Sequence, residues 1–343
     1  MRTGIVWTAV AAGWGVFVAG CGEGGSASEE GRVVVYTALD RGFSEPILGD
    51  FTRKTGIRVL AQYDTESTKS VGLANRIRAE AARPRCDVFW NNEILNTVAL
   101  RAEGLLVPCD VAGAEGYAES WRDPERHWYG FAARARVILV NRNLVPDGGF
   151  PRSIHDLADA NWRGRTAIAK PLFGTTASHV ACLYATLGPE KTAAWLDAIK
   201  ANGVQVHGGN KGVAVAVATG AAAFGLTDTD DAIIELEAGR PVRIVYPDDW
   251  PGGIGTLFLP NTLAAVKGGP NGTAAKLIGY LLSPEVEQKL AEGPSAQIPL
   301  HRDARPNPRV KGPNQVKAMA VDFAKAAAVF PEARRMVEER FLK

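Results

Sequence analysis

The sequence predicts an α/β protein of two lobes joined by hinge strands, and three observations carry that expectation. Short β-branched runs alternate with amphipathic helical patterns from Arg32 onward. A second, separate set of such units fills the middle of the chain. Two extended, glycine-bearing segments, Gly130 to Arg136 and Gly252 to Pro260, stand where the chain could cross between sheets. Continuous apolar strands alternating with helices mark a parallel sheet covered on both faces.

In the first lobe Arg32-Val33-Val34-Val35-Tyr36 reads as a strand, and Phe43, Ile47, Leu48 and Phe51 mark the apolar side of a helix that Gly56 ends. Ile57 to Tyr63 is strand-like, and Ser67 to Ala82 is amphipathic, with Val71, Leu73, Ile77 and Ala81 on one side. Asp87 to Trp90 is a third strand, and Ile94 to Glu103 a helix closed by Gly104. The second lobe takes Val137 to Val140, Lys191 to Lys200, Val204 to Val206, Val213 to Thr219, Ala222 to Leu226, Ala232 to Glu237 and Val242 to Val245. Thr273 to Leu290 and Val316 to Phe341 read as helical. The expected division puts 32–134 with about 257–305 in lobe 1, and 135–256 with about 306–343 in lobe 2.

Ahead of the first strand, Val18-Ala19-Gly20-Cys21 closes an apolar run that follows Arg2. A positive residue, an apolar stretch and small residues before a cysteine resemble a bacterial lipoprotein signal, and the run is shorter than the roughly 20 residues of a membrane-spanning helix. The expectation is a signal peptide over residues 1–20, lipid on Cys21 and a flexible, polar tether over 21–31. The net charge of +2 and the lack of basic runs with interleaved aromatics argue against nucleic acid as a partner. Cys86, Cys109 and Cys182 form no Cys-x-x-Cys pair, which argues against zinc or redox chemistry. In an oxidising compartment Cys86 and Cys109 could bridge, leaving Cys182 buried and free.

Open α/β sheets gather ligands at the carboxyl ends of their strands. There the chain carries Asp40, then Asn91-Asn92-Glu93, then Thr227-Asp228-Thr229-Asp230-Asp231. The loop Lys170 to Ser178, with Gly174, Thr175 and Thr176, and the opening Asn210-Lys211-Gly212 have the look of anion-holding helix N-termini. Asp40, Asp228, Asp230 and Asp231 read equally as helix N-caps, and Glu93 as a complement to a helix dipole. So many carboxylates in one cleft require a cation, a cationic group or arginines, for which Arg134 and Arg136 stand nearest in sequence. Trp90, Tyr36 and Trp250 read equally as core and as cleft wall.

Over about Val33 to Pro299 the chain resembles the ferric-ion-binding type of periplasmic solute-binding protein, the receptor of an ABC importer. The carriers are Val34-Val35-Tyr36-Thr37, Phe51 to Val59, Ala82 to Glu93, Gly104 to Pro108, Arg134 to Ile138, Asn161 to Arg165, Leu281 to Glu285 and Ala296 to Leu300. The resemblance implies a type II periplasmic-binding-protein-like clamshell closing on its ligand. It puts Asp40 where an iron-ligating histidine can stand, and Glu93 at the metal-ligating glutamate. Gly174, Thr175 and Thr176 fall near a phosphate-holding loop, Asn210 at an anion-binding asparagine, and Arg134 at an arginine that meets carbonate. Where iron binders carry two adjacent tyrosines, this chain has Thr229-Asp230. That keeps oxygen donors, in a carboxylate-rich set that also suits magnesium, calcium or manganese.

These residues point to a monomeric, lipid-anchored receptor in the periplasm or cell envelope, partnered by an importer permease and its ATPase. Its expected cargo is ferric iron or another metal with an accompanying anion, ligated by Asp40, Glu93, Asp228 and Asp230, with Trp90, Arg134, Gly174, Thr175, Thr176 and Asn210 around it. The alternative cargo is a small organic ion such as a phosphonate, sugar phosphate or polyamine, with Trp90 as a cation–π wall. An enzyme is disfavoured: the five histidines are scattered and no Gly-x-Ser-x-Gly elbow occurs. A structural or adhesive lipoprotein would lack the cleft between lobes.

Overall fold

The computed structural model describes Met1 and residues 31–64, 71–269 and 272–342, so the expected signal segment apart from Met1, Cys21 and nearly all of the expected tether lie outside the described residues. β1 (Arg32–Thr37) leads through α1 (Arg41–Thr55) to β2 (Arg58–Tyr63), and α2 (Val71–Ala79) leads on to β3 (Val88–Asn91). α3 (Leu95–Ala102) and β4 (Leu106–Val107) precede the long β5 (Tyr129–Asn141). Then come β6 (Thr166–Ala169), α4 (Gly174–Leu187), α5 (Pro189–Ala201), β7 (Gln205–His207), α6 (Asn210–Ala218), β8 (Phe224–Asp228), α7 (Thr229–Glu237) and β9 (Val242–Val245). β10 (Phe258–Val266), α8 (Ala274–Leu281), α9 (Pro284–Glu292), α10 (Phe323–Ala328) and α11 (Phe330–Phe341) complete the chain.

The strands run in the order β2-β1-β3-β10-β5-β8-β6-β7, with β4 also on β10 and β9 also on β5. β1, β2 and β3 are mutually parallel, as are β6, β7 and β8, so each half presents its strand ends in one direction. β5 joins the halves. Its Tyr129 to Ala135 portion pairs antiparallel with β10, and Arg136 to Asn141 pairs with β8 and β9.

Side chains alternate across the sheet, as the two-residue period of a strand requires. On β5, Val137 and Leu139 pack with Val213, Val217 and Ile233 on one face, while Ile138 and Val140 pack with Ile168, Leu183 and Phe224 on the other. On β1, Val33 and Val35 join Phe51, Trp90 and Leu281. Tyr36 faces a core that continues from Phe89 and Leu95 through Ala326 and Ala327 into the second half-sheet. α10 packs on α3 and α4, so the two halves share apolar contact behind the crossing strands.

Several expectations are revised. The first extended segment is itself the leading half of β5, and the second becomes strand only at Phe258 and runs on to Val266. The helical stretch from Thr273 breaks at Ser283, whose hydroxyl accepts from the Val286 N–H at 3.4 Å, and Pro284 starts α9. Helix from Val316 begins only at Phe323, where the Asp322 carboxylate caps Lys325. Cys86, Cys109 and Cys182 are all free, so the bridge that sequence left open between Cys86 and Cys109 is not formed. Cys86 lies in the core on one face of the first half-sheet and Cys109 packs against the core on the other.

Candidate ligand-binding site

Three strand-to-helix junctions of the second half-sheet open side by side: β6 to α4, β7 to α6 and β8 to α7. At the first, Gly174 takes φ +56°, a left-handed conformation that glycine adopts without steric penalty. The turn brings Thr175 and Thr176 into the opening turn of α4. At the second, the small Gly208-Gly209 pair leads into Asn210, the first residue of α6. At the third, β8 ends in Asp228 and α7 begins at Thr229, with Asp230 and Asp231 in its first turn. From the first half-sheet come Asp40, ahead of α1, and Asn92, beyond β3.

These residues enclose a cavity of about 40 Å³ lined by Asp40, Asn92, Arg134, Ala169, Lys170, Phe173, Gly174, Thr175, Gly208, Gly209, Asn210, Asp228, Asp230 and Asp231. Four carboxylates thus face two cations across a space of a few water molecules. Ligand oxygens of Asp228, Asp230 and Asp231 lie within 4.8 Å of one another.

Strand register builds the buried charge network beside this cavity. Arg136 on β5 stands opposite Asp228 on β8, and antiparallel partners project to the same face. Arg136 Nη1 donates to Asp228 Oδ1 at 2.7 Å, to Asn210 Oδ1 at 2.9 Å and to Thr175 Oγ1 at 3.2 Å, while its Nη2 donates to Thr176 Oγ1 at 3.1 Å. Asp228 Oδ2 accepts from the Thr175 hydroxyl at 2.6 Å and from Asn210 Nδ2 at 3.0 Å. Arg134, two residues earlier on the same face of β5, donates from Nη1 to Asp230 Oδ2 at 3.3 Å and Asp228 Oδ2 at 3.4 Å, and from Nη2 to the Asn92 carbonyl.

Burial alone would raise the Asp228 pKa, but Arg136, Arg134 and the donated hydrogen bonds hold it below its ordinary 3.8. Burial pulls the Arg134 pKa down, and Asp230, Asp228 and Asp231 more than reverse that. His179, buried next in α4, is held down to about 3 by burial and then by the Arg136 charge, so it is neutral.

Of the residues singled out from sequence, Asp40, Arg134, Gly174, Thr175, Asn210, Asp228 and Asp230 line the cavity, while Trp90, Glu93 and Thr176 do not. Glu93 is buried and spoken for. Its Oε2 accepts from the Leu95 N–H at 2.8 Å and the Ser178 hydroxyl at 2.8 Å, and its Oε1 from the Asn96 N–H at 3.0 Å and Asn91 Nδ2 at 2.9 Å. It caps α3 and ties it to α4 rather than facing the cavity. Trp90 is core, its ring 5.6 Å from Phe131. Thr176 supports Arg136 from behind, Tyr36 donates its hydroxyl to Glu80, and Trp250 lies in a separate surface pocket beneath Arg152.

N-capping does not account for two of the carboxylates, because neither Asp40 nor Asp228 makes a side-chain cap hydrogen bond to its helix. Against the expected metal set of Asp40, Glu93, Asp228 and Asp230, Asp231 takes a place in the acidic cluster beside Asp228 and Asp230, and Glu93 does not. Lys170, Phe173 and Asn92, which stand in the loops read at the strand ends, also line it, and the lining residues outside those loops are Ala169, Gly208 and Gly209. The glycine pair immediately before an Asn-initiated helix was the available signal.

A family model of bacterial extracellular solute-binding proteins matches residues 97–327 of the chain. The Fe(3+)-binding periplasmic protein of Serratia marcescens is 30% identical over 57% of this chain, a match spanning 56% of that protein's length. Iron uptake protein A1 of Synechocystis is 26% identical over 91% of this chain and 87% of its own. The crystal structure of iron-bound HitA from Pseudomonas aeruginosa superposes with a TM-score of 0.80 at 23% identity, covering 89% of this chain and 99% of HitA. That likeness establishes the type II periplasmic-binding-protein fold.

Proposed function

Because the chain belongs to the bacterial extracellular solute-binding protein family, we propose that it is the cargo receptor of an ABC importer and that its cargo is ferric iron with a small accompanying anion. The observation that carries the cargo reading is the 40 Å³ cavity with its Asp228, Asp230 and Asp231 cluster. Organic ligands of ordinary size need cavities of several hundred Å³, whereas an ion and a small anion need little more than this one offers. The names of the Serratia and Synechocystis relatives point the same way.

In this reading Asp40, Asp230 and Asp231 present hard oxygen donors from opposite walls, the ligand type that suits a hard cation. Asp228 is neutralised by Arg136 and serves as an acceptor that fixes Thr175 and Asn210. Lys170, Arg134 and the opening turns of α4 and α6 hold the anion, where helix N-termini favour negative charge. Ligand bridging Asp40 on one half and Asp230 on the other stabilises the closed form, and the importer reads that closure. A ligand shifts such an equilibrium only by its differential affinity for the two states. The two lobes, divided near Arg134 and Leu257, the lipid on Cys21, the location outside the cytoplasmic membrane and the pairing with a permease and ATPase belong to the same proposal. The receptor is a carrier, not an enzyme.

The test is the melting temperature of chelator-stripped protein against ferric citrate, manganese, calcium, fructose 6-phosphate and a polyamine. At about a hundredfold over its dissociation constant a ligand adds roughly 2.7 kcal/mol, a shift of several degrees. Ferric citrate is expected to raise the transition, and the organic ions to leave it in place. No tyrosine lines the cavity among the described residues, so the iron-loaded protein is expected to lack the intense visible absorption of a phenolate–iron bond. A shift with an organic ion alone would discard iron and keep the receptor.

A further inference from the structure

Where β5 crosses from one half-sheet to the other, its backbone is held by a side chain that takes no part in the cavity. Glu287, in the first turn of α9, is 0% exposed. Its Oε1 accepts from the Ala132 N–H at 2.6 Å, and its Oε2 from the Leu300 N–H at 2.9 Å and the His301 N–H at 2.6 Å. Ala132 belongs to β5; Leu300 and His301 follow Ile298, which bridges antiparallel to Ala133. One carboxylate therefore clamps two backbone segments at the crossing.

Ala132 has φ +43°, and Ala296, ahead of the second segment, φ +45°. An L-residue with a Cβ adopts that region only where its surroundings over-determine it. Here the N–H of Ala132 is taken by Glu287 and its carbonyl by Asn261 Nδ2, which also donates to Gln297 Oε1 at 2.9 Å. Asn261 sits at the register irregularity of β10. Arg134, the arginine that spans Asn92, Asp228 and Asp230, lies two residues beyond Ala132 on the same strand.

We propose that Glu287 is a positioning residue of the ligand site: its carboxylate fixes the left-handed backbone at Ala132 and so delivers Arg134 into the cavity between Asn92 and Asp230. The inference rests on the cavity being the cargo site. Burial pushes the Glu287 carboxyl up to about 7 against the pull of its three N–H donors. The titratable groups around it are Tyr117, whose hydroxyl donates to the Leu282 carbonyl, His301, whose ring lies 5.0 Å from that of Tyr117, and Asp303, 3.8 Å from His301 Nδ1. Protonation would set a hydroxyl against N–H donors and loosen the clamp.

Glu287→Gln keeps the volume and removes the charge. In the ligand-free protein, amide exchange at Ala132, Leu300 and His301 is expected to rise about tenfold, with ferric citrate affinity falling by a similar factor. Across about pH 6 to 8 the ratio of wild-type to variant affinity is expected to grow as the wild-type carboxylate ionises. Glu287→Asp, which restores the charge, is expected to recover part of the affinity, and it carries the same comparison should the glutamine variant not fold. Unchanged exchange would overturn the clamp. Faster exchange with unchanged affinity and pH profile would make the clamp structural only and overturn the positioning role. If wild-type protein fails to bind ferric citrate, the cargo reading falls while the exchange measurement still decides the clamp.

Discussion

Arg136 and Asp228 face each other across β5 and β8, both almost fully buried, and neither charge is tolerable there without the other. Removing one partner of a buried pair is expected to cost about 3–5 kcal/mol, because it strands the remaining charge away from water. Arg136→Met should therefore lower the urea midpoint strongly, although the cavity does not include Arg136. Asp230→Asn should cost less stability than Arg136→Met, because Asp228 still answers the buried Arg134 guanidinium, while weakening ferric citrate binding at least tenfold. A variant that lost stability and kept affinity would reverse these roles. The sequence made the acidic ends of β1 and β8 legible because Asp at a strand's carboxyl end is a local fact. It could not separate Glu93 from Asp231. Which carboxylate faces a cavity and which caps α3 depends on Asn91, Asn96 and Ser178 converging through tertiary structure.

At the scale of elements, the junctions that build the site depend on close approach. A Cβ on Gly225 in β8 would stand 2.6 Å from Val213 Cγ1 and 2.8 Å from the Ala167 carbonyl oxygen. Gly225→Ala is therefore expected to destabilise by about 1–3 kcal/mol, measured by denaturant unfolding. It should also disturb ligand affinity, because α6 and β6 carry Asn210 and Lys170 to the cavity. Wild-type stability in that variant would show that the helix can retreat. β1, β2 and β3 and the helices α6 and α7 were legible from periodicity, whereas the two-residue β4 was not. β6 was not, since four residues between Arg165 and Lys170 give too short an apolar run to register. β10 was cut short at Pro260, where its pairing with β5 is irregular and tolerates a residue without an N–H. Sequence left a bridge between Cys86 and Cys109 open because nearness in sequence says nothing about which face of a sheet each thiol occupies.

The whole molecule contains two separate buried groups with opposite pH behaviour. His179 has a folded pKa of about 3 against 6.5, so its contribution is present above pH 6.5 and is lost as pH falls. Glu287 has a folded pKa of about 7 against 4.5, so its contribution is present below pH 4.5 and is lost as pH rises toward 7. Between 4.5 and 6.5 the two one-proton slopes, each about 1.4 kcal/mol per pH unit, oppose each other. The wild-type stability curve should be flattened there, and Glu287→Gln should climb with pH through the same window. A variant curve parallel to wild type would mean that Glu287 titrates normally.

Because β5 is shared and the cavity lies between the half-sheets, cargo binding engages the whole molecule. The most direct measurement is calorimetric titration of the chelator-stripped protein with ferric citrate, repeated on Asp230→Asn and set against fructose 6-phosphate. One saturable ferric citrate site is expected in the wild type, with a weakening of at least about tenfold in the variant, equivalent to about 1.4 kcal/mol, and no heat from the sugar phosphate. Ferric citrate binding that is indifferent to Asp230, or saturable binding of the sugar phosphate alone, would contradict the ferric iron reading.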